Sequence, residues 1–148
     1  MSLAISREIF EQMERHARGG FPLECCGLMI GRLGGAAVEE VRPLKNAWQG
    51  GDLERRYAID PRDWIRIEKE FSGMERGIIG VYHSHPRASA QPSAFDAERA
   101  WPNYFYLILS VPENGPITAR CWKLDEKDAM MRETELAIGE GARMAAGE

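Results

Sequence analysis

An α/β fold of the mixed α+β kind, a central mixed sheet flanked by helices, is what this 148-residue chain predicts, and three observations carry the expectation. Short apolar runs rich in β-branched residues recur between glycines and prolines. Two stretches space their apolar residues as helices do and begin with good capping residues. The two kinds of segment alternate along the chain. Hydrophobic residues make up 44% and charged residues 28%, and no apolar run approaches the roughly 18 residues of a membrane span. One soluble domain covering residues 1–148 is therefore expected.

Taken in order, the first helix is expected over about residues 6–18. Ile5, Ile9, Phe10, Met13 and Ala17 make one stripe there, Ser6 caps its start and Gly19-Gly20 ends it. Strands at Cys25–Leu33 and Ala36–Leu44 flank Gly34-Gly35, a hairpin turn. Residues 46–54 are polar and glycine-rich and read as a loop, and 55–59 reads as a short returning strand. Asp60-Pro61 starts a second helix reaching about Arg76, because Asp accepts from free backbone N–H groups and proline at the first helical position gives up nothing needed. The apolar run from Gly77 to His83, stopped by Pro86, is a buried central strand, and Ser93 opens a short helix. Tyr104–Val111 and Ile117–Leu124 form a further strand pair. The last twenty or so residues read as an amphipathic helix fraying at Gly139, Gly141 and Gly147.

A net charge of −4 offers no concentrated basic surface, so nucleic acid is not the expected partner. The first ten residues carry no apolar signal or anchor, and three cysteines, Cys25, Cys26 and Cys121, make no disulfide framework. A cytoplasmic location with reduced thiols and no membrane partner is expected, and a homodimer stays open.

His83-Ser84-His85 sets two imidazoles at i and i+2 of a strand, so both project to one side. Asp96, three residues after Ser93 in the short helix, brings a carboxylate from a second direction. Two histidines and a carboxylate are a ligand set for catalytic Zn2+, with the fourth position left for water at about 2.0–2.2 Å. Such a zinc polarises a carbonyl and brings the pKa of water to roughly 7. A proton carrier is also required, and Glu24, at the start of the strand containing Cys25 and Cys26, is the candidate. Ser93 Oγ can donate to an oxyanion, and Ser93-x-x-Asp96 also has the form of a capping box; the two roles are compatible. Ser84 should face away from the metal and support the site by a hydrogen bond. His16 reads as structural, and Cys25 and Cys26 read as packed small hydrophobes.

His83-x-His85-Pro86, then six residues, Ser93, two residues and Asp96, with Glu24 upstream, resembles the JAMM motif of the MPN-domain (Mov34/PAD-1) metallopeptidases. The likeness runs on through Pro22-x-Glu24-x-Cys26-Gly27-Leu28, Asn46, Tyr57-Ala58-Ile59-Asp60-Pro61 and Cys121-Trp122, and so covers nearly the whole chain. It looks most like the small bacterial members that process ubiquitin-like sulfur-carrier proteins. The resemblance implies a cytidine-deaminase-like fold, zinc on His83, His85 and Asp96, Glu24 as general base and Ser93 as oxyanion donor. It also implies hydrolysis of the amide after a carrier's C-terminal Gly-Gly, releasing cysteine or a short extension. Residues 46–56 and the stretch from Asp96 to Tyr104 are too short for the insertions that grip ubiquitin in deubiquitinating members. A thin tail laid along a strand edge is therefore expected.

Two other readings make distinct predictions. A non-catalytic MPN-type module would hold a ubiquitin-like partner without cutting it, and a cysteine hydrolase using Cys26 would survive chelation and die on alkylation. A deaminase is disfavoured, because neither His-x-Glu nor Pro-Cys-x-x-Cys occurs.

Overall fold

Alternating apolar runs and capped helical stripes assemble around one sheet in the computed structural model, which describes residues 2–139. In chain order the elements are β1 (Ser2–Ser6), α1 (Arg7–Gly20), β2 (Cys26–Arg32), β3 (Ala37–Val38), β4 (Glu40–Leu44), α2 (Pro61–Glu70), β5 (Arg76–Pro86), α3 (Ala94–Arg99), β6 (Phe105–Val111), β7 (Thr118–Asp125) and β8 (Met130–Gly139). The eight strands lie in the order β3-β1-β8-β7-β6-β5-β2-β4. β1 runs parallel to both β3 and β8, β5 runs parallel to β6, and the remaining neighbours are antiparallel. Glu39 alone separates β3 from β4, and its N–H donates to the Ile30 carbonyl at 2.8 Å. One bent stretch thus reaches both ends of the sheet and draws them together. No helix among the described residues is long and apolar enough to cross a membrane.

Each face of the sheet has its own core. On one, Phe10, Met13 and Ala17 of α1 pack on Met29, Tyr82, Leu107 and Leu109; on the other, Ile67 and Phe71 at α2 cover Leu28, Ile30, Val81 and Tyr106. The register between β2 and β5 slips by one between Met29 and Ile30, which pair with Gly80 and Ile78 and leave Ile79 as an extra residue. Such a bulge reverses the side-chain alternation beyond it. Ile78 and Val81 therefore share the α2 face, and His83 and His85 continue Val81's alternation onto it.

The helix starts agree with their sequence signals. Ser6 Oγ accepts from the Ile9 N–H at 3.2 Å, and Asp60 Oδ1 accepts from the Arg62 N–H at 2.9 Å. Four expectations are corrected. Ile5 belongs to β1, a strand whose partners, β3 and β8, come from later in the chain. No strand forms at 55–59, because the Asn46 side chain takes the backbone groups that a ladder would use. α2 ends at Glu70 instead of about Arg76, as Gly73 turns the chain at φ +79° and Arg76 already pairs with Arg32 in β5. Residues 130–139 form β8 where a helix is expected, held by β7 on one side and β1 on the other; the rest of that expected helix lies outside the described residues.

Candidate metal centre

Three donor atoms converge at the end of β5. His83 Nε2 and His85 Nε2 stand 3.1 Å apart, and Asp96 Oδ2 lies 3.3 Å from the first and 3.0 Å from the second. His83 is 1% exposed and His85 7%. The i, i+2 spacing aims both rings to one side, as alternation requires, and α3 delivers the carboxylate across from them. Asp96 is itself held by its cap: the Ser93 N–H donates to Oδ2 at 2.9 Å while Ser93 Oγ accepts from the Asp96 N–H at 3.0 Å. That reciprocal box fixes the carboxylate and leaves the Ser93 hydroxyl hydrogen free to donate elsewhere.

Tautomers follow from the partners. His85 Nδ1 faces the Ser89 carbonyl at 2.8 Å, and a carbonyl only accepts, so the hydrogen sits on Nδ1 and Nε2 offers a lone pair inward. Burial holds His83 below its ordinary pKa and so neutral. For His85 burial acts downward too, but the bonds to Asp96 and Ser89 prevail and raise it. Burial works against ionised Asp96, yet the two imidazoles hold its carboxyl well below the usual carboxylate range. Two imidazole nitrogens and an anionic oxygen that all lie within 4.8 Å of one another suit a divalent cation. The structure brings together all three residues singled out as ligands.

Glu24 lies just before β2 and is 6% exposed, with no hydrogen-bond partner for Oε1 among the described residues. Burial raises its pKa to about 8, with His85 pulling down and Asp96 pushing up, so it sits within electrostatic reach of the three donors. Its backbone is fixed from two sides: its N–H donates to Leu53 O at 2.8 Å, and its carbonyl accepts from Asn46 Nδ2 at 3.1 Å. Asn46 also donates to Arg56 O and accepts from the N–H groups of Trp48 and Ala58, which spends its whole hydrogen-bonding capacity on tying the 46–58 loop to Glu24.

Ser84 faces away from the donors as expected. Its Oγ accepts from the Cys25 N–H at 2.8 Å, and its own N–H donates to the Cys25 carbonyl at 3.1 Å, so it buttons the Glu24-Cys25 segment to β5. All three cysteines are buried and unpaired, and burial pushes Cys25 up to about 11 and both Cys26 and Cys121 up to about 12. Thiols held in that range are poor nucleophiles at neutral pH. Burial and raised pKa values thus count against the cysteine-hydrolase reading.

Sequence reasoning missed the supports around these residues. Tyr57 stacks on His83 with ring centroids 4.3 Å apart and planes at 21°. The Ser89 carbonyl and the fourfold bonding of Asn46 depend on loop paths that carry no periodic signal. Beside the donors lies an apolar cleft of about 460 Å³ whose walls include Tyr57, Trp64, Trp101 and Tyr106, with Asp96 at its edge.

Residues 6–125 match the model of Prok-JAB, the prokaryotic homologs of the JAB domain. The chain belongs to this family. It is 33% identical over 141 residues to a desampylase of Haloferax volcanii, covering 92% of this chain and 96% of that one. A CysO-cysteine peptidase of Mycobacterium tuberculosis is 28% identical over 109 residues, 73% of each chain. The solution structure of a protein from Desulfitobacterium hafniense superposes with a TM-score of 0.79 at 30% identity, covering 94% of both chains. A structure described as JAMM, a metalloprotease-like zinc site in the proteasome and signalosome, shares the fold at TM-score 0.59 and 18% identity, covering 95% of this chain and all of that one. The fold of the Prok-JAB chain is thus that of the JAB1/MPN and JAMM structures.

Proposed function

We propose that this Prok-JAB protein is a zinc metallopeptidase that hydrolyses the amide bond after the C-terminal Gly-Gly of a ubiquitin-like sulfur-carrier protein, releasing cysteine or a short extension. The observation that carries the reading is the convergence of His83 Nε2, His85 Nε2 and Asp96 Oδ2 beside a buried Glu24 whose Oε1 has no hydrogen-bond partner among the described residues. The relatives named desampylase and CysO-cysteine peptidase support the substrate class.

His83, His85 and Asp96 would hold a zinc ion, which when bound would supply Lewis acidity toward the scissile carbonyl and acidify water near neutral pH. Glu24 accepts the proton of the attacking water and hands it to the departing amine nitrogen; a carboxyl whose pKa stands at about 8 can do both near neutrality. Ser93 donates its uncommitted hydroxyl hydrogen to the carbonyl oxygen as that oxygen gains charge, an interaction of a type worth roughly 2.7–4 kcal/mol. Asn46 and Ser84 hold the Glu24 segment in place, and Tyr57 covers the His83 ring.

Elemental analysis of wild type and His83→Ala, run beside cleavage of a carrier ending in Gly-Gly-Cys, tests the reading. About one zinc per chain, lost in the variant together with cleavage, is expected. Carefully prepared wild type without zinc would turn the assignment toward a non-catalytic binding module.

A further inference from the structure

Two cations stand beside the donor cluster without counter-ions. The Arg56 guanidinium lies 4.5 Å and the Arg99 guanidinium 4.9 Å from the centroid of the same ring, Phe95, and Trp48 meets that ring edge-on at 5.2 Å. Among the described residues neither arginine has a carboxylate partner; Arg56 Nη1 donates only to the Arg55 carbonyl. Elsewhere on this surface the usual arrangement is an ion pair, as in Arg42 with Glu70, Arg76 with Glu39 and Arg120 with Glu133. The ring attracts each guanidinium, while the two like charges repel one another, and an anion shared by them would offset that repulsion.

Their positions relate both to the reaction centre. Phe95 immediately precedes Asp96, Arg99 follows Asp96 by one helical turn, and Arg56 precedes Tyr57, the residue stacked on His83. Arg56 is also close enough for its charge to act on Glu24. The aromatic bed keeps the planar forks in place, and a guanidinium fork matches a carboxylate in shape.

We propose that Arg56 and Arg99 bind the free α-carboxylate of the residue cleaved from the carrier's C-terminus, making the enzyme selective for a terminal leaving group over a lysine side-chain amide. The inference rests on the cleavage reading above. In a terminal leaving group the α-carboxylate sits one carbon from the scissile nitrogen, so it must lie close to the reaction centre. In an isopeptide that position holds a lysine methylene, which offers the arginines nothing. The two Gly residues on the other side of the scissile bond have no side-chain charge to compete for them.

Wild type and the double variant Arg56→Gln/Arg99→Gln are assayed on one tail sequence ending in Gly-Gly-Cys, either with its free carboxylate or capped as the carboxamide. Fluorescence anisotropy measures binding of the same two peptides to Glu24→Gln, with and without the arginine substitutions. Wild type should favour the carboxylate in kcat/KM by roughly ten- to a hundredfold, the range that hydrogen bonds to a charged group span, and the double variant should bring the ratio near one. Equal cleavage of the two peptides by wild type, or an equal loss on both in the double variant, overturns the inference and leaves the cleavage reading standing. If neither peptide is cleaved, the cleavage reading fails and binding decides. A carboxylate preference that the arginine substitutions remove upholds the inference, and equal binding overturns it.

Discussion

β5 carries buried polar side chains on both faces, and the two sets are treated in opposite ways. On the α1 face Tyr82 Oη meets His16 Nδ1 at 2.8 Å and Ser84 Oγ meets the Cys25 N–H at 2.8 Å. On the α3 face His83 and His85 turn their Nε2 atoms toward each other and toward a carboxylate. The two buried side-chain atoms without partners among the described residues, His83 Nδ1 and Glu24 Oε1, both belong to that side. Buried polar atoms are normally paired, because an unpaired one costs about 1–3 kcal/mol. The satisfied face is thus a device of stability, and on the other face Glu24 Oε1 is left without a partner among the described residues beside the three converging donors.

The sharpest way to break this comparison is Glu24→Gln. The substitution keeps the shape and removes the proton-transfer role, so kcat should fall by roughly 10²–10⁴-fold. Zinc content should hold, and so should the unfolding midpoint, because a buried carboxyl without a partner at Oε1 contributes no bond there to lose. Zinc analysis, steady-state kinetics and denaturation of one preparation check all three. A variant that keeps most of its turnover would remove Glu24 from the chemistry.

Gly27→Ala probes the other face. An added Cβ would lie 2.4–2.6 Å from Cε2, Cζ and the hydroxyl Oη of Tyr82, which is fully buried opposite it across the strand pair. Overpacking of this kind costs about 1–3 kcal/mol or more. Urea denaturation should show the loss as a lower midpoint, while the folded variant keeps its zinc. Loss of zinc without loss of stability would mean that the two faces of β5 are not separate.

How much of this was legible beforehand depended on how local each signal was. The His83-x-His85 spacing, the Ser93-x-x-Asp96 cap and the Asp60-Pro61 helix start each need only a few adjacent residues, and the structure has them where the sequence puts them. β1 and β8 were hidden because each owes its state to the other, from opposite ends of the described chain. The segment Met130–Ile138 is rich in Met, Glu and Leu, good helix formers, and pairing on both sides overrides that preference. Its hairpin was also masked, since Ala129 takes φ +58° where glycine or asparagine would have announced the turn. Likewise nothing local marks Tyr57 as the cover of His83. The bulge at Ile79 escaped as well, although it decides which face the histidines occupy; it lies inside an unbroken apolar run with no alternation to interrupt.

The smallest expected effect sharpens the comparison most finely. Tyr82→Phe keeps the ring that fills the space over Gly27 and deletes only the hydroxyl bound to His16. His16 is only partly buried, so water can take the place of the lost partner, and the cost should stay near 0.5–1.5 kcal/mol. Because Tyr82 and His83 are adjacent on one strand, the variant changes an atom on one face within a residue of the donor on the other. If the faces work independently, the denaturation midpoint drops slightly at unchanged slope while kcat/KM and zinc content match wild type. A tenfold fall in kcat/KM with stability intact would show instead that the α1 face positions the donors through β5, and that its satisfied hydrogen bonds serve the reaction as well as the fold.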